Sequence, residues 1–135
     1  MNDELRAHIE QANVALGAMM VAAGYLHDAA QAAIDADTAL RDAKTALDDT
    51  EALLLLEAIR LGALDGSNAE TRKAQLRGYY AASADWTEAT AAHHDATVSA
   101  ARARQQAESA AARFSVAKEG VRLHIAIVAL LGRGL

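Results

Sequence analysis

A seven-residue period of apolar side chains runs through most of this chain and limits its fold more than any other feature. In the first half, an apolar residue stands at every seventh position from Leu5 to Leu61. A companion line, three residues further on, carries five successive alanines from Ala15 to Ala43. Alternating large and small residues at this period are typical of a helix packed along a coiled-coil seam. The first half is therefore predicted to be one long helix.

The second half repeats the pattern. A mostly bulky line runs in sevens from Tyr79 to Val128, and six alanines at sevens run beside it from Ala82 to Ala117. The chain has 36 alanines and no proline, a composition that favours helix because alanine has the best helix propensity and proline the worst. Facing alanines let two helix axes approach to about 8 Å. The two halves are therefore predicted to pack as antiparallel helices.

Residues 65–67 are predicted to form the turn. Gly66 is a plausible helix-ending residue in a left-handed conformation, and Ser67 with Glu70 matches a capping box. Asn68 is a further candidate to cap the second helix. The predicted fold is all-α, a long antiparallel two-helix hairpin with an alanine-rich coiled-coil seam. It is one domain over residues 1–135, with a first arm at about 3–64, a second arm at about 68–131, and possible interruptions at Gly17, Gly24 and Gly120.

Apolar residues outside the seam predict a partner. Ile9 and Leu16 lie on one flank of the first arm, and Val14 and Val21 lie on another. Both ends of the hairpin are apolar on every face, and such helix segments are buried on every face. A second copy is the favoured partner, giving a helical bundle of two or more chains, and a different protein is the alternative. The predicted partner interface comprises Leu53, Leu55, Leu56, Ile59, Leu123, Ile125, Ile127, Leu130 and Leu131.

The chemistry-bearing residues do not indicate an enzyme. The chain has no cysteine, which excludes a thiolate metal site and a cysteine nucleophile, and it carries no phosphate-binding loop. His93 and His94 are adjacent, so on a helix they point about 100° apart. His8 and His124 lie opposite each other in the predicted hairpin. A metal-binding helical bundle that uses His93 or the His8 and His124 pair is a weak alternative, and we expect no catalytic residue and no cofactor.

A basic cluster at the start of the second arm supports another alternative. Arg72, Lys73 and Arg77 lie close to Tyr79 and Trp86, and basic residues beside aromatic ones can bind phosphates and stack on bases. The favoured interpretation keeps both aromatic residues in the seam and pairs the bases with the acidic first arm. Nucleic-acid contact through the three basic residues remains a second hypothesis.

Charge and hydropathy predict where the protein resides. The net charge is −5, and the first 65 residues hold 12 acids and 4 bases. No basic stretch precedes an apolar run at the start, so no signal peptide is expected. The most apolar segment, Leu123 to Leu131, is shorter than the roughly 20 residues that a membrane helix needs. We expect a cytoplasmic protein without membrane contact.

The turn itself carries a motif. Residues 65–76 read Asp-Gly-Ser-Asn-Ala-Glu-Thr-Arg-Lys-Ala-Gln-Leu, an acidic Gly-x-Asn turn followed by Arg and Leu at four-residue steps. This motif resembles that of small uncharacterised bacteriophage helical-hairpin proteins, although Ser67 and Thr71 stand where charged residues are more usual. The tip motif residues are Gly66, Ser67, Asn68, Glu70 and Arg72.

The resemblance implies a helical hairpin and a phage origin, and therefore a place in the cytoplasm of a bacterial host or in a virion. It carries over no activity. Together with the seam, it favours a non-enzymatic helical interaction protein that acts as an oligomeric adaptor, an inhibitor or a structural component. The alternatives are an accessory DNA-binding factor in phage replication or recombination and the metal-binding bundle described above.

Overall fold

The structure, a computed structural model, describes residues 2–134, and these residues form three α-helices without a strand. Helix α1 spans Asp3–Arg60, α2 spans Ala69–Ala81, and α3 spans Ala84–Gly132. The two long helices, α1 and α3, pack against each other. The all-α class and the hairpin-like packing predicted from the sequence are therefore confirmed.

Helix α1 begins at a side-chain cap. The Asn2 Oδ1 atom accepts hydrogen bonds from the backbone N–H groups of Glu4 at 2.7 Å and Leu5 at 3.3 Å. Acidic residues follow in the first turn, where they are stabilised by the positive end of the helix dipole. The helix then continues without interruption through Gly17 and Gly24. The packing of the seam residues before and after each glycine outweighs the low helix propensity of glycine.

The predicted seam lines are the shielded sides of the helices. In α1, every position of the bulky line from Leu5 to Leu54 is at least half-buried, and so is every alanine of the companion line. In α3, the most deeply buried residues are Ala100, Ala110 and Val121, at 1, 8 and 7% exposure, and all three lie on the predicted lines. The seven-residue period therefore identifies the contact faces correctly.

The second arm is two helices, whereas the sequence predicts one. Helix α2 ends at Ala81, and α3 begins after Ser83, whose Oγ accepts a hydrogen bond from the backbone N–H of Trp86 at 3.3 Å. The Ser83 carbonyl also accepts from the Thr87 N–H at 3.1 Å. Serine at this position is a strong N-cap, so it starts a new helix here. Gly120, by contrast, does not interrupt α3.

The chain divides into two compact units. The first unit comprises Met1–Ile34 and Arg102–Leu135, and so contains the beginning of α1 and most of α3. The second unit is the continuous segment Asp35–Ala101, and it contains the end of α1, the turn, α2 and the beginning of α3. Each unit therefore has its own antiparallel helical packing.

Candidate interaction surfaces

Helix α1 ends earlier than predicted, and Gly62 ends it. The Gly62 N–H donates to the Ile59 carbonyl at 3.1 Å, and the Ala63 N–H donates to the Ala58 carbonyl at 2.9 Å. This pair of bonds is a Schellman motif, in which the residue after the helix adopts a left-handed conformation. Gly62 has φ of 70°, and Gly66 is not among the residues with positive φ. The prediction of Gly66 as the left-handed helix end is therefore wrong.

Gly66 is required for a different reason. A Cβ atom at this position would lie 2.5 Å from Thr71 Cγ2 and 2.8 Å from Thr71 Cβ. The Gly66 N–H donates to Gln75 Oε1 at 3.0 Å, while Gln75 Nε2 donates to Asp65 Oδ1 at 2.7 Å. The Gln75 side chain thus stabilises the turn by two hydrogen bonds. Thr71 lies so close to Gly66 that this position has no room for a side chain.

Asn68 caps helix α2, and Ser67 does not. Asn68 Oδ1 accepts hydrogen bonds from the Thr71 N–H at 2.8 Å and from the Thr71 hydroxyl at 3.0 Å. The predicted capping box between Ser67 and Glu70 is therefore replaced by a cap one residue later. Glu70 lies in the first turn of α2 and is paired with Lys73 at 3.8 Å, an exposed pair. Such exposed pairs contribute little to stability.

Arg72 is part of the turn. Its Nη1 atom donates a hydrogen bond to the Gly66 carbonyl at 3.0 Å, as the spacing of the tip motif suggests for this residue. Of the three residues proposed for nucleic-acid contact, Arg72 therefore holds the turn and Lys73 faces Glu70, while Arg77 is exposed. Arg72 thus contacts the turn and Lys73 contacts its own helix, instead of the acids of the first arm with which the sequence predicts them to pair.

Two aromatic rings join α2 and α3 to α1. Tyr80 and Trp86 stack with ring centroids 6.1 Å apart and planes inclined by 16°. Trp86 Nε1 donates to Glu51 Oε1 at 3.2 Å, and the Tyr80 hydroxyl donates to the Glu51 backbone carbonyl at 3.3 Å. Burial raises the pKa of the Tyr80 hydroxyl, and the Glu51 carboxylate raises it further. These contacts occupy Trp86 in packing, as the seam interpretation predicts.

Tyr79 lies near a second carboxylate of α1. Burial raises the pKa of its hydroxyl, and Glu57 adds to this effect by its charge and by a hydrogen bond, while the charge of Arg60 acts in the opposite direction. Tyr79 lines a small groove together with Leu54 and Glu57 of α1.

Leucines near the turn form an exposed apolar cluster. Four of the large side chains here are between 59 and 68% exposed: Leu53, Leu56, Ile59 and Leu61. Leu55 is half-buried. Leu61 is on the predicted seam line, but it lies just beyond the end of α1, and its side chain is therefore exposed instead of packed in the seam.

The end of α3 carries the other predicted interface residues. Leu123 and Ile125 are 60 and 58% exposed, and Leu130 is 49% exposed. Ile127 and Leu131 are half-buried. Residues 123 and 125 are only two apart, so on a helix they point about 200° apart and belong to different surfaces. The segment is therefore not one interface.

Helix α1 contributes a further exposed set that is absent from the predicted interface. Val14 is 74% exposed, Val21 is 59% exposed, and Tyr25 is 64% exposed. Val14 and Val21 are off the seam in the sequence, and the regular spacing of the set is the signal that identifies it. Shallow grooves of 690 and 520 Å³ run beside these residues in the first unit.

The histidines do not converge on a ligand set. His8 and His124 are half-buried, and within residues 2–134 the Nδ1 atom of each is shielded from solvent without a hydrogen-bond partner. His93 lies on the seam side of α3. The described residues contain no group of three or more histidine, aspartate or glutamate side chains placed to hold a metal ion.

None of the described helices has an apolar segment long enough to cross a membrane. No protein-family model matches the chain, and comparisons with curated proteins and with solved structures found no match.

Proposed function

We propose that this chain is a non-enzymatic helical interaction protein that acts through protein contacts made by its exposed apolar helix faces. The observation that carries the proposal is the amount of apolar surface left in solvent. Fifteen large apolar side chains of the described residues are 43 to 74% exposed, whereas the buried apolar residues are three alanines and Val121. Exposed apolar surface on this scale is typical of protein interaction sites.

The small free energy gained by burying an alanine seam also supports contact with a partner. Burying one methylene contributes about 0.8 kcal/mol. Ordering the backbone of one residue costs about 1–2 kcal/mol. An alanine seam therefore does little to offset the entropy of ordering these helices. The accessible surface of 9250 Å² also exceeds the roughly 6,800 Å² of a compact monomer of this mass. Further burial against a partner supplies the missing stabilisation.

The tip motif suggests the biological setting. Its resemblance to bacteriophage helical-hairpin proteins supports a role as an oligomeric adaptor, an inhibitor or a structural component in a phage or its bacterial host. In such roles the protein works by occupying a surface, so helices with exposed apolar faces are sufficient.

Sedimentation equilibrium of the purified chain tests the proposal. We expect masses above the 14.2 kDa of one chain, increasing across micromolar to submillimolar concentrations. Aspartate substitutions at three exposed apolar residues, Val14, Leu56 and Leu123, together serve as the control, and they should return the mass to that of one chain. An assembly whose mass is unchanged in this triple variant would refute contact through apolar faces.

A further inference from the structure

Helix α1 carries a second heptad seam in the first unit, in addition to the one it uses within the chain. Val14, Ala18, Val21 and Tyr25 follow one another at steps of four, three and four residues. This is the spacing of coiled-coil core positions. The three large members are 59 to 74% exposed, so this seam is not covered by any other part of residues 2–134.

Helix α3 carries a matching second seam. Val116, Gly120, Leu123, Ile127 and Leu130 follow at alternating steps of four and three residues. Val116 is 74% exposed, Leu123 is 60% exposed and Leu130 is 49% exposed. The two helices therefore each present an unpaired row with the same period. Together the rows form what we name the second-seam face, whose large exposed members are Val14, Val21, Tyr25, Val116, Leu123 and Leu130.

Both rows lie on the same side of the first unit. One groove is lined by Tyr25 of α1 together with Ser109 and Arg113 of α3. Ser109 precedes Val116 by seven residues, so it belongs to the row that continues through Leu123 and Leu130, and Arg113 similarly belongs to the row of Gly120 and Ile127. The second groove is lined by Val14 and Ala18 together with His124, which follows Leu123.

The angle between the seams matches a four-helix bundle. At about 100° per residue, the middle of the second seam lies about 110° around each helix from the middle of the first. Helices at the corners of a square bundle contact their two neighbours at about 90°. We propose that a second copy of this chain covers the second-seam face, so that two first units form an antiparallel four-helix bundle. This inference rests on the proposed function and names its partner.

The charges of the two helices favour a second copy and specify how it lies. In the first unit, the α1 segment at residues 2–34 has four acids and one base, whereas the α3 segment at residues 102–134 has six bases and two acids. Opposite charge across an interface favours association and fixes its orientation. A two-fold axis parallel to the helices lays α1 of each copy on α3 of the other, which brings the opposite charges together.

The size of the face predicts a weak, concentration-dependent dimer. Its named members extend about 17 Å along α1, from Val14 to Tyr25, and about 21 Å along α3, from Val116 to Leu130, at 1.5 Å per residue. With each helix about 10 Å wide, the face covers about 400 Å². This is about half of the roughly 800 Å² per partner of a standard specific interface.

A pair of substitutions on α3 tests the proposal. Leu123 and Ile125 are almost equally exposed, but only Leu123 belongs to the second-seam face. L123E should raise the dimer dissociation constant at least tenfold in sedimentation equilibrium, and I125E should change it less than twofold. Both sites are exposed on a helix, and circular dichroism checks that each variant folds. Equal effects of the two variants, or a wild-type chain that stays monomeric, would overturn the proposal.

Disulfide trapping tests the orientation. The chain has no cysteine, so V14C and L123C each introduce a single thiol. When the two variants are mixed and oxidised, we expect a disulfide between a V14C chain and an L123C chain, because the two-fold axis lays α1 of each copy on α3 of the other. Disulfides confined to V14C pairs would show that like helices face each other and would overturn the proposal.

The two proposals fail separately. Should the wild-type chain assemble while L123E has no effect and L56E dissociates it, the copies meet through the leucines near the turn. The second-seam face would then be wrong, and the proposed function would stand.

Discussion

A single methyl group added at Gly66 should destabilise the turn. The substitution Gly66→Ala places a Cβ atom 2.5 Å from Thr71 Cγ2, 2.8 Å from Thr71 Cβ and 3.1 Å from Gln75 Oε1. The Thr71 Cβ atom is attached to the backbone of α2, so rotating a side chain cannot remove this contact. Helix α2 must shift, and overpacking of this kind costs about 1–3 kcal/mol.

The matched control is the same substitution at Gly78. This glycine is also in the second unit, inside α2, and no atom lies within 4 Å of the position where its Cβ would be. Alanine is favoured over glycine in a helix by about 0.5–1 kcal/mol. Gly78→Ala should therefore stabilise the protein, so the two substitutions have opposite signs.

Urea unfolding at one fixed protein concentration measures both effects, because an associating protein has a concentration-dependent stability. Thermal unfolding gives a second measurement, at about 4 °C per kcal/mol for a chain of this size. Amide hydrogen exchange in α2 shows whether the loss is local to the turn. A Gly66→Ala variant that is as stable as the wild type, or as stable as Gly78→Ala, would refute the steric argument.

Three further predictions concern the cap and the aromatic contacts. In urea titrations, Asn68→Ala should reduce the free energy of unfolding by about 0.5–2 kcal/mol, whereas Ser67→Ala should leave it nearly unchanged. A larger loss for Ser67→Ala than for Asn68→Ala would instead support the capping box predicted from the sequence. Trp86→Phe removes the hydrogen bond to the Glu51 carboxylate and should cost about 1.5–3 kcal/mol, and less in the background of Glu51→Ala, which lacks the acceptor; additive losses would contradict that pairing. The folded-state pKa of Tyr80 is raised above 10.0. Its contribution to the free energy of unfolding is therefore full below that pH and is lost as the pH rises above it. The urea midpoint should fall between pH 9 and pH 11, and Tyr80→Phe should reduce that fall; an unchanged slope would exclude Tyr80 as its source.

The sequence was sufficient to predict the all-helical class and the contact faces of the two long helices. A heptad is a local pattern within one helix. It indicates which side of the helix is buried, regardless of which element packs against that side. The same reasoning explains why Gly17 and Gly24 leave α1 intact, because the seam continues on both sides of them.

Helix ends were predicted less well, because several residues near the turn satisfy the same local rules. Gly62 and Gly66 both qualify to end α1, and Ser67 and Asn68 both qualify to cap α2. The choice depends on contacts across the turn, above all on the hydrogen bonds that Gln75 makes to Asp65 and Gly66. Ser83 has the local signal of an N-cap. However, the heptad line continues from Tyr79 to Trp86 on either side of it, and this favoured a continuous arm.

By itself, then, the amino-acid sequence determined that the chain is helical, that it turns back close to residues 65–67, and which sides of α1 and α3 meet. These features follow from period and propensity, which act over a few residues. Only the tertiary structure decided that Gly62 ends α1, that Ser83 divides the second arm, and that Val14, Leu123 and Ile125 are left exposed. The physical reason is that a surface is made of residues from different helices, and their neighbourhood is set by packing.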